Sequence, residues 1–148
     1  MHVTPDTLVD EVEIQVEPGK IREFVRATGV TDPVHTDVSA ARSAGFDTLL
    51  ATATHVVVAG HRRDQQAFVR RLGLDIRRVV VGSVSWSFER PLVAGDQLVA
   101  RRTVVENRTK EGRGGAMNRL VTLETEFVSP DGTVVARQRD VLVERGRP

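Results

Sequence analysis

The stretch Ala53-Thr54-His55-Val56-Val57-Val58-Ala59-Gly60 is apolar nearly all round, whereas Arg62-Arg63-Asp64-Gln65-Gln66 just beyond it is polar. A helix with that distribution has one end buried inside a protein and the other emerging into solvent. The pattern predicts such a helix from near Thr52 or Thr54 to Gly73. β-branched Val56 to Val58 are weak helix formers, so the prediction leans on context rather than on propensity.

After residue 75 the hydrophobic period becomes two. In Ser83-Val84-Ser85-Trp86-Ser87-Phe88 the large apolar side chains point one way and the serines the other. Further strands are predicted at 97–107, 116–128 and 133–143. Gly112, Gly114 and Gly115 fall in the first connection, and Ser129-Pro130-Asp131-Gly132 makes a β-turn in the second. Such short connections imply an antiparallel meander. Upstream, Val12, Ile14 and Val16 alternate with Glu11, Glu13 and Gln15 as a fifth strand. Pro18-Gly19 opens a helix with Ile21, Phe24, Val25 and Thr28 at i, i+3, i+4 and i+7, and Gly29 stops it. Thr36 or Asp37 caps a short second helix carrying Ala40, Ala41 and Ala44, ended by Gly45. The fold class is therefore α+β, with an antiparallel sheet wrapped around a central buried helix.

A chain of 148 residues suggests a single domain. Its 40% hydrophobic and 28% charged residues are those of an ordinary globular protein. With 21 Lys+Arg against 20 Asp+Glu, nothing marks a dedicated polyanion-binding surface, and no nucleic-acid partner is expected. The absence of cysteine excludes disulfides, thiolate metal sites and cysteine nucleophiles. No apolar run approaches the roughly 18 residues that span a bilayer, so no membrane association is expected. Met1-His2-Val3-Thr4-Pro5-Asp6 lacks a basic region followed by an apolar core, and a cytoplasmic address is the expectation.

The chemistry concentrates in Thr28-Gly29-Val30-Thr31-Asp32-Pro33-Val34-His35-Thr36-Asp37. A histidine between two carboxylates is suited to proton transfer, because imidazole titrates near neutrality and a carboxylate can orient it. The same residues also read as a turn: Asp-Pro starts turns, Asp37 suits a helix cap, and a loop histidine is often only solvated.

Three segments resemble the hot-dog-fold MaoC-like hydratase/dehydratases: Ile21 to Gly29, Asp32 to Asp37, and Ala40-Ala41-Arg42-Ser43-Ala44-Gly45-Phe46. Phe88-Glu89-Arg90-Pro91-Leu92-Val93-Ala94-Gly95-Asp96-Gln97-Leu98 is similar to that family's Pro-x-x-x-Gly-Asp connection. Lys110 to Gly115 followed by Thr122 to Val128 resembles its N-terminal-type dehydratase branch. The likeness covers about residues 10–145 of one domain spanning 1–148. It implies a hot-dog fold, dimers made by joining two sheets, and a tunnel for an acyl thioester at the dimer interface. The implied reaction is reversible addition of water across a 2-enoyl thioester of coenzyme A or phosphopantetheine, in fatty acid or polyketide metabolism. No further cofactor is implied.

The family's catalytic aspartate and histidine lie in a pattern resembling Gly-Asp-x-Asn-Pro-x-His, which here reads Gly29-Val30-Thr31-Asp32-Pro33-Val34-His35. His35 matches the histidine, Val30 stands at the aspartate, and Asp32 replaces the asparagine. The expectation is a 3-hydroxyacyl thioester dehydratase, or enoyl hydratase, with an altered dyad in which His35 and Asp32 are the catalytic candidates. The alternatives are a non-catalytic subunit that pairs with a dyad-bearing hot-dog chain, and an acyl-binding protein with other chemistry. Matching Leu49 to His55 against the family's Ala-Pro-Pro-Thr-Phe assigns substrate binding to Thr52, Ala53, Thr54 and His55, with a backbone N–H near Ala53 facing the thioester carbonyl. His55 reads either as a replacement acid–base group or as a hydrogen-bonded core residue. His2 and His61 read as surface residues, and the four histidines lack metal-site spacing. Ser83, Ser85 and Ser87 read as one polar sheet face rather than nucleophiles, since no Gly-x-Ser-x-Gly turn is present. Arg101, Arg102, Arg108 and Arg113 read as solvated arginines, with a phosphate contact as the alternative.

Overall fold

Alternation of apolar and polar residues sets five strands, and a computed structural model describes them within residues 3–146. The strands are β1 (Leu8–Gln15), β2 (Val79–Phe88), β3 (Gln97–Glu111), β4 (Met117–Val128) and β5 (Val134–Glu144). They form one sheet in the order β1-β3-β4-β5-β2, with every neighbouring pair antiparallel. The expected meander is β3-β4-β5. β2 is an edge strand against β5, and a bulge between Val81 and Ser83 shifts its register. Gly82 sits in that bulge, where an added Cβ would lie 3.0 Å from a Val143 methyl.

Two helices precede the sheet's long strands. α1 (Pro18–Thr28) has Pro at its start and ends at Gly29, whose φ of 72° is the left-handed conformation that glycine tolerates. α2 (Val38–Ser43) is capped by Asp37, whose carboxylate accepts from Ser39 N–H at 2.8 Å.

The predicted continuous helix to Gly73 is instead two pieces. Ala53–Arg62 is a 3-10 segment, and α3 (Gln65–Arg71) follows it. The break lies at Arg63 (φ −101°, ψ 138°) and Asp64 (φ −81°, ψ 100°), both extended. Three consecutive valines and Gly60 disfavour a regular helix, and the Asp64 carboxylate starts a new one by accepting from Ala67 N–H at 2.9 Å. The central element is thus present, but in the isolated chain it buries only the face of His55, Val56 and Ala59.

The outer sheet face is charged. Glu11, Arg101, Glu126 and Arg137 stand opposite one another across four strands, with Arg101–Glu11 at 2.6 Å and Arg137–Glu126 at 3.3 Å. The inner face holds two apolar clusters. One joins Val16, Ile21, Leu49, Val56, Leu98, Ala100 and Phe127; the other joins Val9, Phe68, Leu72, Val104, Val121, Leu123 and Leu142. Between them a polar row crosses the whole sheet: Asp10 pairs with Arg102, Arg102 with Thr125, Thr125 with Gln138, and Gln138 with Trp86. Among the described residues no helix is long and apolar enough to cross a membrane. His61 is exposed as expected, and His2 lies outside the described residues.

Candidate active site

The Gly29–Asp37 loop is fixed by backbone chemistry before any catalytic question arises. α1 closes with Val30 N–H donating to the Val25 carbonyl at 3.1 Å. Asp32 then starts a 3-10 turn, Pro33–His35, and its carboxylate accepts from Val34 N–H at 3.0 Å. This is the turn-forming bond an Asp before Pro makes readily, because the N–H two residues on is its nearest donor. Asp32 remains exposed, and its carboxylate makes no hydrogen bond with His35 among the described residues.

His35 is 9% exposed and turns inward. Its Nδ1 lies 2.7 Å from the Leu50 carbonyl oxygen, and Leu50 N–H donates to the Val34 carbonyl at 3.1 Å. A carbonyl only accepts, so Nδ1 donates, and in the uncharged tautomer Nε2 is the nitrogen with the lone pair. A backbone group rather than a carboxylate thus orients the ring.

His35 lines a cleft of about 510 Å³ with Val30, Leu50, Ala51, Thr52 and Ala53 on one side and residues 88–92 on the other. The second wall is shaped by the Pro91-to-Asp96 connection. Arg90 donates to both Asp96 oxygens at 2.8 and 2.9 Å, and Val93 N–H donates to the same carboxylate at 3.0 Å. Glu89 is the carboxylate in the lining, and Arg137 holds it at 3.1 Å. Val30 contributes an isopropyl group where the resemblance places an acid.

Of the expected substrate-binding residues, Thr52 and Ala53 line the cleft and Thr54 and His55 do not. Ala53 begins the 3-10 segment, ahead of its first internal bond from His55 N–H to the Thr52 carbonyl at 3.0 Å. Its N–H is therefore among those a helix start leaves for a ligand. His55 is 3% exposed and packs edge-on against Phe24 with ring centroids 5.4 Å apart. Burial holds its pKa below the usual imidazole value, and its Nδ1 and the Thr52 hydroxyl are buried without a hydrogen-bond partner among the described residues. Sequence reasoning passed over Phe88, Glu89 and Leu92 as cleft residues. The available signal was the Arg90–Asp96 spacing, which lets one ion pair close a loop.

Five antiparallel strands around a central 3-10 segment, with a histidine loop and a cleft at the segment's start, define a MaoC-like hot-dog domain. A protein-family model described as "FAS1-like, dehydratase domain region" matches residues 2–138, and the chain belongs to that family. It is 40% identical over 128 residues to a UPF0336 protein of Clavibacter michiganensis subsp. michiganensis, covering 86% of this chain and 83% of the relative. Its fold is similar to a chain of the HadBC (3R-hydroxyacyl-ACP dehydratase) complex from Mycobacterium tuberculosis, at 24% identity and a TM-score of 0.71, covering 88% and 90% of the two chains. The MaoC-like dehydratase from Rhodospirillum rubrum aligns at 25% identity and a TM-score of 0.71, over 99% and 95%.

Proposed function

We propose that this chain is the acyl-thioester-binding subunit of a heteromeric hot-dog dehydratase acting on 3-hydroxyacyl or 2-enoyl thioesters. The observation that carries the reading is a cleft with one base and no available acid. Dehydration needs one group to take the C2 proton and another to protonate the departing hydroxyl. Here His35 Nε2 can accept a proton, but Val30 has no proton chemistry, Asp32 caps a turn, and Glu89 is ion-paired. In this reading the second group comes from another chain.

The β2 edge supports such a partner. Val81 is 62% exposed, and Val84, Trp86 and Phe88 are each 37% exposed. A ten-residue edge strand with one exposed apolar face is an aggregation hazard unless another strand pairs with it. Phe88 also lines the cleft, so a chain added to β2 closes over the His35 site. The Ala53 N–H polarises the thioester carbonyl in this reading, and the 88–92 wall shapes the acyl path. Free Nε2 on His35 also favours a second reading, in which this chain acts alone with Glu89 released from Arg137 as the acid.

The test is loss of enoyl-thioester absorbance with crotonyl-coenzyme A, using the purified chain alone and mixed with a hot-dog partner carrying the Asp–His dyad. The chain alone is expected to be inert, and the mixture active. Hydration by the chain alone that disappears in His35→Ala, with the variant still folded by circular dichroism, overturns the subunit reading.

A further inference from the structure

The two ends of the sheet carry opposite charge. At the cleft end, residues 16–50, 89–96 and 129–133 hold eight Asp+Glu against five Lys+Arg. At the other end, residues 3–6, 70–78, 106–119 and 144–146 hold nine Lys+Arg against five Asp+Glu. Those last four segments meet in the fold. Arg145 N–H donates to the Arg78 carbonyl at 3.0 Å, and Gly146 N–H to Asn118 Oδ1 at 2.9 Å. Arg119 donates to the Leu72 and Gly73 carbonyls at 2.9 and 3.0 Å, and Asn107 to the Val3 carbonyl at 2.9 Å.

Part of this positive charge is unused by the fold. Arg70, Lys110, Arg113 and Arg145 are exposed, and their side chains make no hydrogen bond or ion pair among the described residues. Arg77 pairs with Asp75 at 3.2 Å, yet its side chain is 84% exposed. Ile76 and Met117 stand among these cations, 51% and 55% exposed. Exposed apolar side chains flanked by arginines suit a protein partner, because interfaces place Met and Arg around an apolar centre. A nucleic acid has no use for them, and none of the four segments holds an aromatic ring on which a base could stack.

The basic end runs directly into the unpaired edge. Ile76–Arg78 is the turn that precedes β2, and Phe88 at the other end of β2 lines the cleft. Two chains of one fold joined through the equivalent edge strand are related by a two-fold or near two-fold axis, so the joined strands run antiparallel. The cleft end of the second chain then lies beside Ile76 and Arg77 of the first. This chain's own cleft end is acidic, with Glu89 next to Phe88. We propose that the basic end around Ile76, Arg77 and Arg145 seats an acidic cleft end of the dyad-bearing partner, so that charge keys that chain to β2. The identity of the partner rests on the subunit reading; its chemistry, carboxylates around an apolar spot at the mouth of its cleft, is what the basic end adds. Opposite charges placed this way steer encounter more than they add affinity, and their signature is a salt-sensitive association rate.

The experiment measures association rates of the full chain with an immobilised dyad-bearing hot-dog chain by biolayer interferometry, at about 50 and about 500 mM sodium chloride. Wild type is compared with Arg77→Glu/Arg145→Glu and with Arg62→Glu/Arg101→Glu, which changes net charge equally on the β1 side of the sheet. All three proteins are first shown to be folded by circular dichroism. Wild type and the β1-side control are expected to associate about tenfold more slowly at high salt. Arg77→Glu/Arg145→Glu is expected to be about tenfold slower than the control at low salt and nearly indifferent to added salt. A wild-type rate indifferent to salt, or an Arg77→Glu/Arg145→Glu rate equal to the control's, overturns the charge key while the assembly itself still upholds the subunit reading. No assembly by wild type at either salt overturns the subunit reading and the key together. Self-association that Arg77→Glu/Arg145→Glu abolishes and the partner does not outcompete reassigns the basic end to a second copy and overturns the proposal. So does salt-sensitive binding of a labelled DNA duplex that the same variant removes while partner association is unchanged.

Discussion

Asp10→Asn is the substitution on which the polar row is most exposed to test. The change keeps the side chain's shape and one acceptor oxygen, but leaves Arg63 and Arg102 with no carboxylate in contact. Removing one partner of a buried ion pair costs about 3–5 kcal/mol, because the remaining charge stays desolvated. Asp10 is itself 21% exposed, so water screens part of its field, and the amide oxygen retains a weaker hydrogen bond. These two corrections place the loss near the lower bound, about 3 kcal/mol. For a domain of this length that is a fall in melting midpoint of about 6–12 °C. Urea titration measures the free energy directly, and the midpoint is expected to fall with an unchanged slope. Glu11→Gln is the internal control. Glu11 sits on the same strand and pairs with Arg101, but the two side chains are 44% and 55% exposed. An exposed pair contributes no more than about 1 kcal/mol. If Asp10→Asn costs under about 1 kcal/mol, or no more than Glu11→Gln, the buried cluster is not a source of stability.

Two other perturbations follow from burial and exposure. His55 has its folded pKa lowered by burial, so the unfolded chain takes up a proton first as pH falls through the ordinary imidazole value of about 6.5. Stability is then complete above that pH and declines below it; His55→Phe is expected to flatten the decline in melting midpoint between about pH 7 and pH 5, and parallel curves for the two proteins would count against it. Val81→Lys places a charge at the most exposed apolar position of β2 and is expected to leave the chain monomeric by light scattering, with or without a dyad-bearing partner. Assembly equal to wild type would move the interface away from this edge.

The sheet was readable because each strand alternates cleanly enough to assign a face. β3 shows where that reading stops. Leu98, Ala100, Arg102 and Val104 share the inner face, yet Arg102 reads from sequence as one more solvated arginine. Its burial depends on Asp10 in β1 and Arg63 beyond the 3-10 segment, which lie 92 and 39 positions away and meet only in the fold. The central element was legible, but its break at Arg63–Asp64 was not, for a different reason. An all-round apolar octet fixes that the segment is packed, but not its period, and the valines together with Asp64 decided for a 3-10 segment, a break and a short helix.

At the cleft, nearness in sequence was a poor guide to partnership. Asp32 and His35 are three positions apart, and the rigid Pro33 between them sets the direction in which each side chain leaves the backbone. The carboxylate finds the Val34 N–H at once, while the imidazole turns the other way to the Leu50 carbonyl. An Asp-Pro-x-His turn built this way separates its two titratable groups by satisfying each locally. The motif therefore positions a histidine without activating it through its own aspartate. Activation, where it occurs, requires a proton donor or acceptor from across the cleft, and the side of the cleft bounded by Phe88 runs into the unpaired β2 edge. Val30 in the cleft wall and the apolar edge at Val81 to Phe88 thus bear on one question. On the proposed subunit reading, a second chain paired with β2 supplies the proton-transfer group that the cleft around His35 lacks.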